Sequence, residues 1–225
     1  MSLQSPNDQA SRVGEVIGTA ISTFQGQCLR LHESPPLGAL VRVRAETDLT
    51  IYGIVVGAFT DGLDVGARPI PRAADGMEDA EVYHNHPDLA LVLRTCFDCL
   101  VVGFDDNAGI HQHLPPTPPP IHYSIGMGSS DEVRGFTRTL DYFRMLLGER
   151  SLPTEEVLAA HIRCAATARE RTVADETAYA FRVRAGREVA ALLRDDHQRL
   201  ITVLQRIRPT AVDERPRARL VGETR

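Results

Sequence analysis

"HQHLPPTPPPIHYSI", residues 111–125, places three histidines and five prolines in its first twelve positions. Proline has no N–H to give a β-ladder, so in a sheet protein such a run is confined to edges and crossings. The run also carries P-x-x-P, the pattern of a polyproline ligand for an SH3-type groove. Its position decides between these readings. It stands between two β-type segments, "LVVGF" (100–104) and "IHYSI" (121–125), whereas a polyproline ligand belongs in an exposed tail. The stretch therefore reads as the crossing that closes a β-domain, with Ile121 entering the last strand.

Upstream of it, short β-rich runs at Val13–Ile21, Gln27–Leu31, Ala39–Val43 and Thr50–Val56 are punctuated by Gly, Pro and Asp, the pattern of a small all-β domain. In "ALVRVRA", Leu40, Arg42 and Arg44 alternate with Val41 and Val43, so one face turns inward and the arginines turn out. "LVVGF" is apolar on successive positions and reads as a strand covered on both faces.

Downstream, proline and glycine thin out and a 3.6-residue period takes over. Val133, Phe136, Leu140, Phe143 and Leu147 fall on one helical stripe, introduced by a capping box from Ser129 to Glu132. Thr154 of "LPTEEV" caps a second helix that buries Val157, Leu158, Ile162 and Ala165. Further stripes run through Val173, Phe181, Val189 and Leu192, and through Leu200, Val203, Leu204 and Ile207, where Pro209 stops the pattern. The expected architecture is two-domain, all-β plus all-α: an N-terminal small β-barrel followed by a C-terminal helical domain of three or four helices. The boundaries are a flexible N-terminus at 1–11, the barrel at 12–125, a joint at 126–130, the helical domain at 131–208 and a disordered tail at 209–225.

Composition narrows the chemistry. All 25 basic residues are arginine, so the chain has no lysine for a P-loop, a Schiff base or a kinase phosphate contact. No apolar run approaches the roughly 18 residues a membrane span needs, and the N-terminus lacks a signal-peptide pattern, so the expected location is the cytoplasm. Four cysteines, Cys28, Cys96, Cys99 and Cys164, are too scattered for a disulfide framework and are expected as free thiols. Residues 1–128 hold 7 arginines against 15 acids. That balance repels a phosphate backbone and argues against direct nucleic-acid binding by the barrel. The arginine clusters "RERT" and "FRVRAGR" are interleaved with acids and read as solvated helix faces; a nucleic-acid contact through them is the second alternative.

Seven potential metal ligands lie between residues 84 and 122: His84, His86, Cys96, Cys99, His111, His113 and His122. "CFDC" has the Cys-x-x-Cys spacing of a zinc knuckle, and "HQH" puts two imidazoles on one face of a strand. Cys96, Cys99, His111 and His113, with His84 and His86, are thus the candidate zinc ligands of a metal-dependent hydrolase. The competing reading prevails. "RTCFDCLVVGF" runs straight into a buried strand, where free cysteine behaves as a small hydrophobe, and Phe97 and Asp98 make a poor knuckle turn. The glycines of "GMGSSDE" (126–132) lack a third partner, and Asp131 and Glu132 already occupy the positive end of the following helix. No G-x-S-x-G elbow or facing carboxylate pair is present. No catalytic, cofactor-binding or metal residue is assigned.

Taken together, "RVGEVIGTAISTFQGQCLRLHESPPLGALVRV", "IYGIVVG", "EVYHNHPDLALVLRTCFDCLVVGF" and "HLPPTPPPIHYSI" resemble the HAS-barrel domain, a family named for its occurrence in HerA helicases and ATP synthases. The likeness covers residues 12–125. It implies a small β-barrel that, in ring ATPases, sits at one end of the hexamer and helps subunits or partners dock; in HerA systems the partner is the NurA nuclease, in DNA-end processing. The chain departs from those enzymes after the barrel, where it has neither a RecA-type core nor a Walker A motif. The resemblance therefore implies a stand-alone, non-enzymatic interaction module, an accessory of a HerA-like ATPase or of its nuclease, and compatible with homo-oligomer formation.

Overall fold

The computed structural model describes residues 12–46, 48–63, 70–72, 76–149, 151–170 and 176–208. The termini at 1–11 and 209–225 lie outside the described residues. The chain begins with strands β1 (Arg12–Thr19), β2 (Thr23–Cys28), β3 (Leu40–Glu46) and β4 (Leu49–Gly62). Two short helices, α1 (Asp79–Asn85) and α2 (Leu89–Val92), precede β5 (Leu93–Asp106), β6 (Gly109–His111) and β7 (Ser124–Met127). Helices α3 (Ser130–Phe136), α4 (Phe143–Gly148), α5 (Thr154–Glu170), α6 (Ala178–Leu192) and α7 (His197–Arg206) follow.

The strand order is β2-β1-β7-β3-β4-β5, and β2 also pairs with β5, so six antiparallel strands close on themselves. Closure removes the free edges an open sheet would carry. β6 is a flap on the end of β5.

The opening stretch makes that closure. β7 lies between β1 and β3, which among the described residues share no ladder of their own, and 112–123 carries the chain there from β6. The His122 N–H donates to the Val16 carbonyl and the Val16 N–H to Tyr123, so docking on β1 begins before β7 itself. The strand starts at Ser124, three residues later than expected, because His122 adopts a left-handed backbone (φ 67°) that no strand can hold. Ile121 is exposed.

Side-chain alternation divides the apolar residues between two cores. Inside the barrel sit Val16, Phe24, Val41, Val43, Ile51, Val55, Phe97, Cys99, Val101 and Ile125. Gly26 makes room for two of them. A Cβ there would lie 2.5 Å from both Ile125 Cδ1 and Phe97 Cζ. Outside, Leu40, Tyr52, Ile54, Val56, Leu100 and Val102 form one wall of a second core, completed by Phe136, Tyr142, Phe143, Leu158, Ile162 and Phe181 of the helical part. β5 is covered on both faces, as "LVVGF" predicts. Each fully buried aliphatic in such a wall contributes roughly 1.5–3 kcal/mol, so the helices stabilise the barrel from outside. Residues 126–130 hold the last two residues of β7, Ser129 as N-cap of α3 and the first residue of that helix.

Three expectations need correction. The stripe from Val133 to Leu147 is two short helices, α3 and α4, so among the described residues five helical segments follow the barrel, with α1 and α2 inserted earlier. The cause is visible at the break: the Gln112 side-chain amide donates to the Phe136 and Thr139 carbonyls and accepts from the Tyr142 N–H, while Arg184 donates to the Thr137 and Arg138 carbonyls. Peptide groups that a continuous helix would pair internally are paired from outside instead. Second, Arg42 leaves the barrel wall without reaching solvent; its guanidinium is covered and donates to the Met127 carbonyl and to Glu132, both at 2.7 Å. Third, the arginine-rich helices are not simply solvated faces. Arg169 is buried, lies 3.8 Å over the Phe181 ring and donates to Glu176, Thr137 and the Ala165 carbonyl.

Candidate functional site

β4 and β5 outlast the barrel. β2 covers β5 only from Cys96 to Leu100, and β3 covers β4 only up to Ile54, yet the β4–β5 ladder continues to Gly62 opposite Leu93. The result is a two-stranded ribbon rising from the mouth of the barrel, with α2 at its tip. The Leu63 N–H donates to the Val92 carbonyl and extends the ladder by one more pair. The i to i+3 bonds of 86–91 turn the chain through Pro87 and Asp88 into β5.

The described residues of the tip are apolar and exposed. Leu91 is 77% exposed, Leu63 48% and Val92 46%, and Phe59 and Ile70 are exposed as well. Leu63, Leu91 and Val92 form a contiguous ledge, since the first and last are hydrogen-bonded neighbours. Single exposed apolar residues are ordinary, but a contiguous group on a projecting element marks an interaction surface. Arg72 and Asp88, 3.4 Å apart, make a charged flank beside it.

At the barrel mouth below the tip a small polar cluster sits beside α1. The His32 backbone, left-handed at φ 65°, donates its N–H to Thr95 Oγ1; His32 Nε2 lies 2.6 Å from the Tyr83 hydroxyl, and Thr60 and Thr95 share a 2.8 Å bond. These contacts link the 29–37 loop, the ribbon and α1. Sequence reasoning passed over this cluster, because its members come from four separated segments.

The proposed metal ligands are dispersed. His84 lies in α1 and His86 caps it. Cys96 and Cys99 are both fully buried in a regular stretch of β5 at an odd separation, so their side chains leave the strand on opposite faces. Cys99 sits inside the barrel, where burial pushes its thiol well above the usual range. His111 and His113 do meet, as the "HQH" pattern predicts: their rings are 5.5 Å apart and both pack on Phe104. His111 Nε2 lies 3.0 Å from Asp106 Oδ1, whose pKa is lowered by the Ala108 N–H first and by His111 second. His113 Nδ1 lies 3.1 Å from the Leu114 carbonyl, and His122 pairs with Glu15 instead. Among the described residues no group of three or more His, Cys, Asp or Glu side chains is arranged to hold a metal ion.

The arginines of the helical part are largely engaged within the fold. Glu176 is held between Arg169 and Arg184, and hydrogen bonding from Arg184 is the largest of the influences that lower its pKa. Arg199 reaches Glu155, Thr154 and the Leu147 carbonyl, and Arg206 pairs with Glu156. Among the described residues no helix is long and apolar enough to cross a membrane. No protein-family model matches the chain, and no curated protein matches it.

Proposed function

We propose that the chain is a non-enzymatic assembly module that docks a protein partner through the tip of the β4–β5 ribbon. The observation that carries this reading is the exposed ledge of Leu63, Leu91 and Val92 on an element that projects from a closed barrel. The six-stranded antiparallel barrel is compatible with the HAS-barrel resemblance, and that resemblance makes a HerA-like ring ATPase, or the nuclease that works with it in DNA processing, the first partner class to test.

Affinity capture from native lysate, comparing the wild-type chain with Leu91→Asp, tests it. Leu91 is too exposed for this change to disturb the fold. The expected outcome is recovery of a ring ATPase or a nuclease by the wild type and its loss with the variant. Recovery of neither by the wild type contradicts that partner, and equal recovery by both proteins contradicts the surface.

A further inference from the structure

The ribbon also has an open edge. Val55 exchanges hydrogen bonds with the Gly38–Ala39 segment on the side of β4 away from β5, and among the described residues no strand continues that pairing from Val56 to Gly62. The orientation of the peptide groups along this window is fixed by alternation. Leu63 bonds to Val92, so Gly57, Phe59 and Asp61 turn their N–H and C=O groups toward β5. Those of Ala58, Thr60 and Gly62 turn away from it. The Gly62 N–H is taken by the Asp61 carboxylate at 2.7 Å, leaving Ala58 and Thr60 as the outward pair.

We infer that this edge pairs, antiparallel, with the same edge of a second copy of the chain, about a two-fold axis at Phe59. The inference rests on the reading of the chain as an assembly module. The edge is self-complementary. The window Val56–Gly62 is symmetric about Phe59, so Ala58 of one protomer faces Thr60 of the other and both outward residues exchange N–H···O bonds twice over. Phe59 then faces its own copy in the non-hydrogen-bonded position, where cross-strand side chains approach most closely, and it is 41% exposed in the single chain. Asp61 falls opposite Gly57, so no like charges meet. A Cβ on Gly57 would find nothing within 4 Å, which leaves that position open. The window carries neither proline nor lysine, the usual blocks against edge pairing. β5-β4-β4-β5 becomes one four-stranded ribbon joining two barrels.

Sedimentation velocity of the full chain from about 1 to about 100 µM, which spans micromolar dissociation constants, is the test. The wild type is expected at twice the protomer mass. Ala58→Pro removes an N–H that the internal ladder does not use, and is expected to give a monomer with an unchanged far-ultraviolet circular dichroism spectrum. Phe59→Asp serves as the second disrupting variant. Phe59→Cys, oxidised with diamide, is expected to form a reducible covalent dimer. A wild type that stays monomeric overturns the inference, as does a dimer that survives both disrupting variants. A monomer that still captures a ring ATPase or nuclease overturns the dimer alone and leaves the docking function standing.

Discussion

Tyr142 Oη lies 2.7 Å from His161 Nε2, and the other ring nitrogen of His161, Nδ1, lies 2.8 Å from the Gly38 carbonyl. A carbonyl only accepts, so Nδ1 carries the proton and Nε2 accepts from the tyrosine hydroxyl. This chain of two bonds, with both side chains fully buried, ties the loop before β3 to α5 and to the start of α4. Tyr142→Phe leaves Nε2 buried without a donor and is expected to cost about 1–3 kcal/mol in urea unfolding. A variant as stable as the wild type would show that the bond contributes nothing.

The same histidine sets a pH dependence. Burial depresses its pKa to about 4, from an ordinary value of 6.5. Between those values the unfolded chain binds more protons than the folded one, so stability is full above pH 6.5 and falls as the pH drops toward 4. The loss amounts to roughly 3 kcal/mol and levels off below the folded pKa. His161→Gln is expected to flatten the urea midpoint across this window; an unchanged slope in the variant would assign the effect elsewhere.

Gly38 is fixed by two independent demands. Its φ of 77° is left-handed, and a Cβ there would lie 2.3 Å from the His161 backbone nitrogen. Gly38→Ala is therefore expected to destabilise by more than the roughly 1 kcal/mol of an ordinary left-handed position, because α5 must also move. Thermal unfolding measures it, and a melting temperature within a degree of wild type would contradict the packing.

The buried Arg169 and the partly exposed Glu176 form an ion pair at 3.1 Å, braced by Arg184 and by the face of Phe181. Removing one partner strands the other. Glu176→Gln is expected to cost about 1–2 kcal/mol, less than a fully buried pair because the carboxylate keeps some contact with water and Arg169 keeps two other acceptors. Calorimetry of the variant decides it, and a loss below half a kcal/mol would mean that water replaces the carboxylate without penalty.

Local signals in the sequence carried a good part of this fold. The barrel was legible because alternation in "ALVRVRA", the doubly covered "LVVGF" and the proline crossing are written within single segments. The Ser129–Glu132 capping box was legible for the same reason. What escaped was decided between segments. The break after Phe136 depends on Gln112, which is 24 residues away in sequence, and the burial of Arg169 depends on Phe181 and Glu176 across a helix connection. The ribbon tip escaped too: nothing in "HNHPDLALVL" tells that Leu91 faces solvent while Leu89 is buried. The burial of the "CFDC" cysteines was legible in the apolar strand that they enter, and alternation puts the two thiols on opposite faces of it.

Hydrogen–deuterium exchange on the chain with and without its captured partner tests the docking account most directly. Slowed exchange at Leu63 and across Leu89–Leu93, with α5, α6 and α7 unchanged, is the result the account requires. Protection confined to the helical part, with the ribbon tip exchanging as fast in the complex as alone, would contradict it.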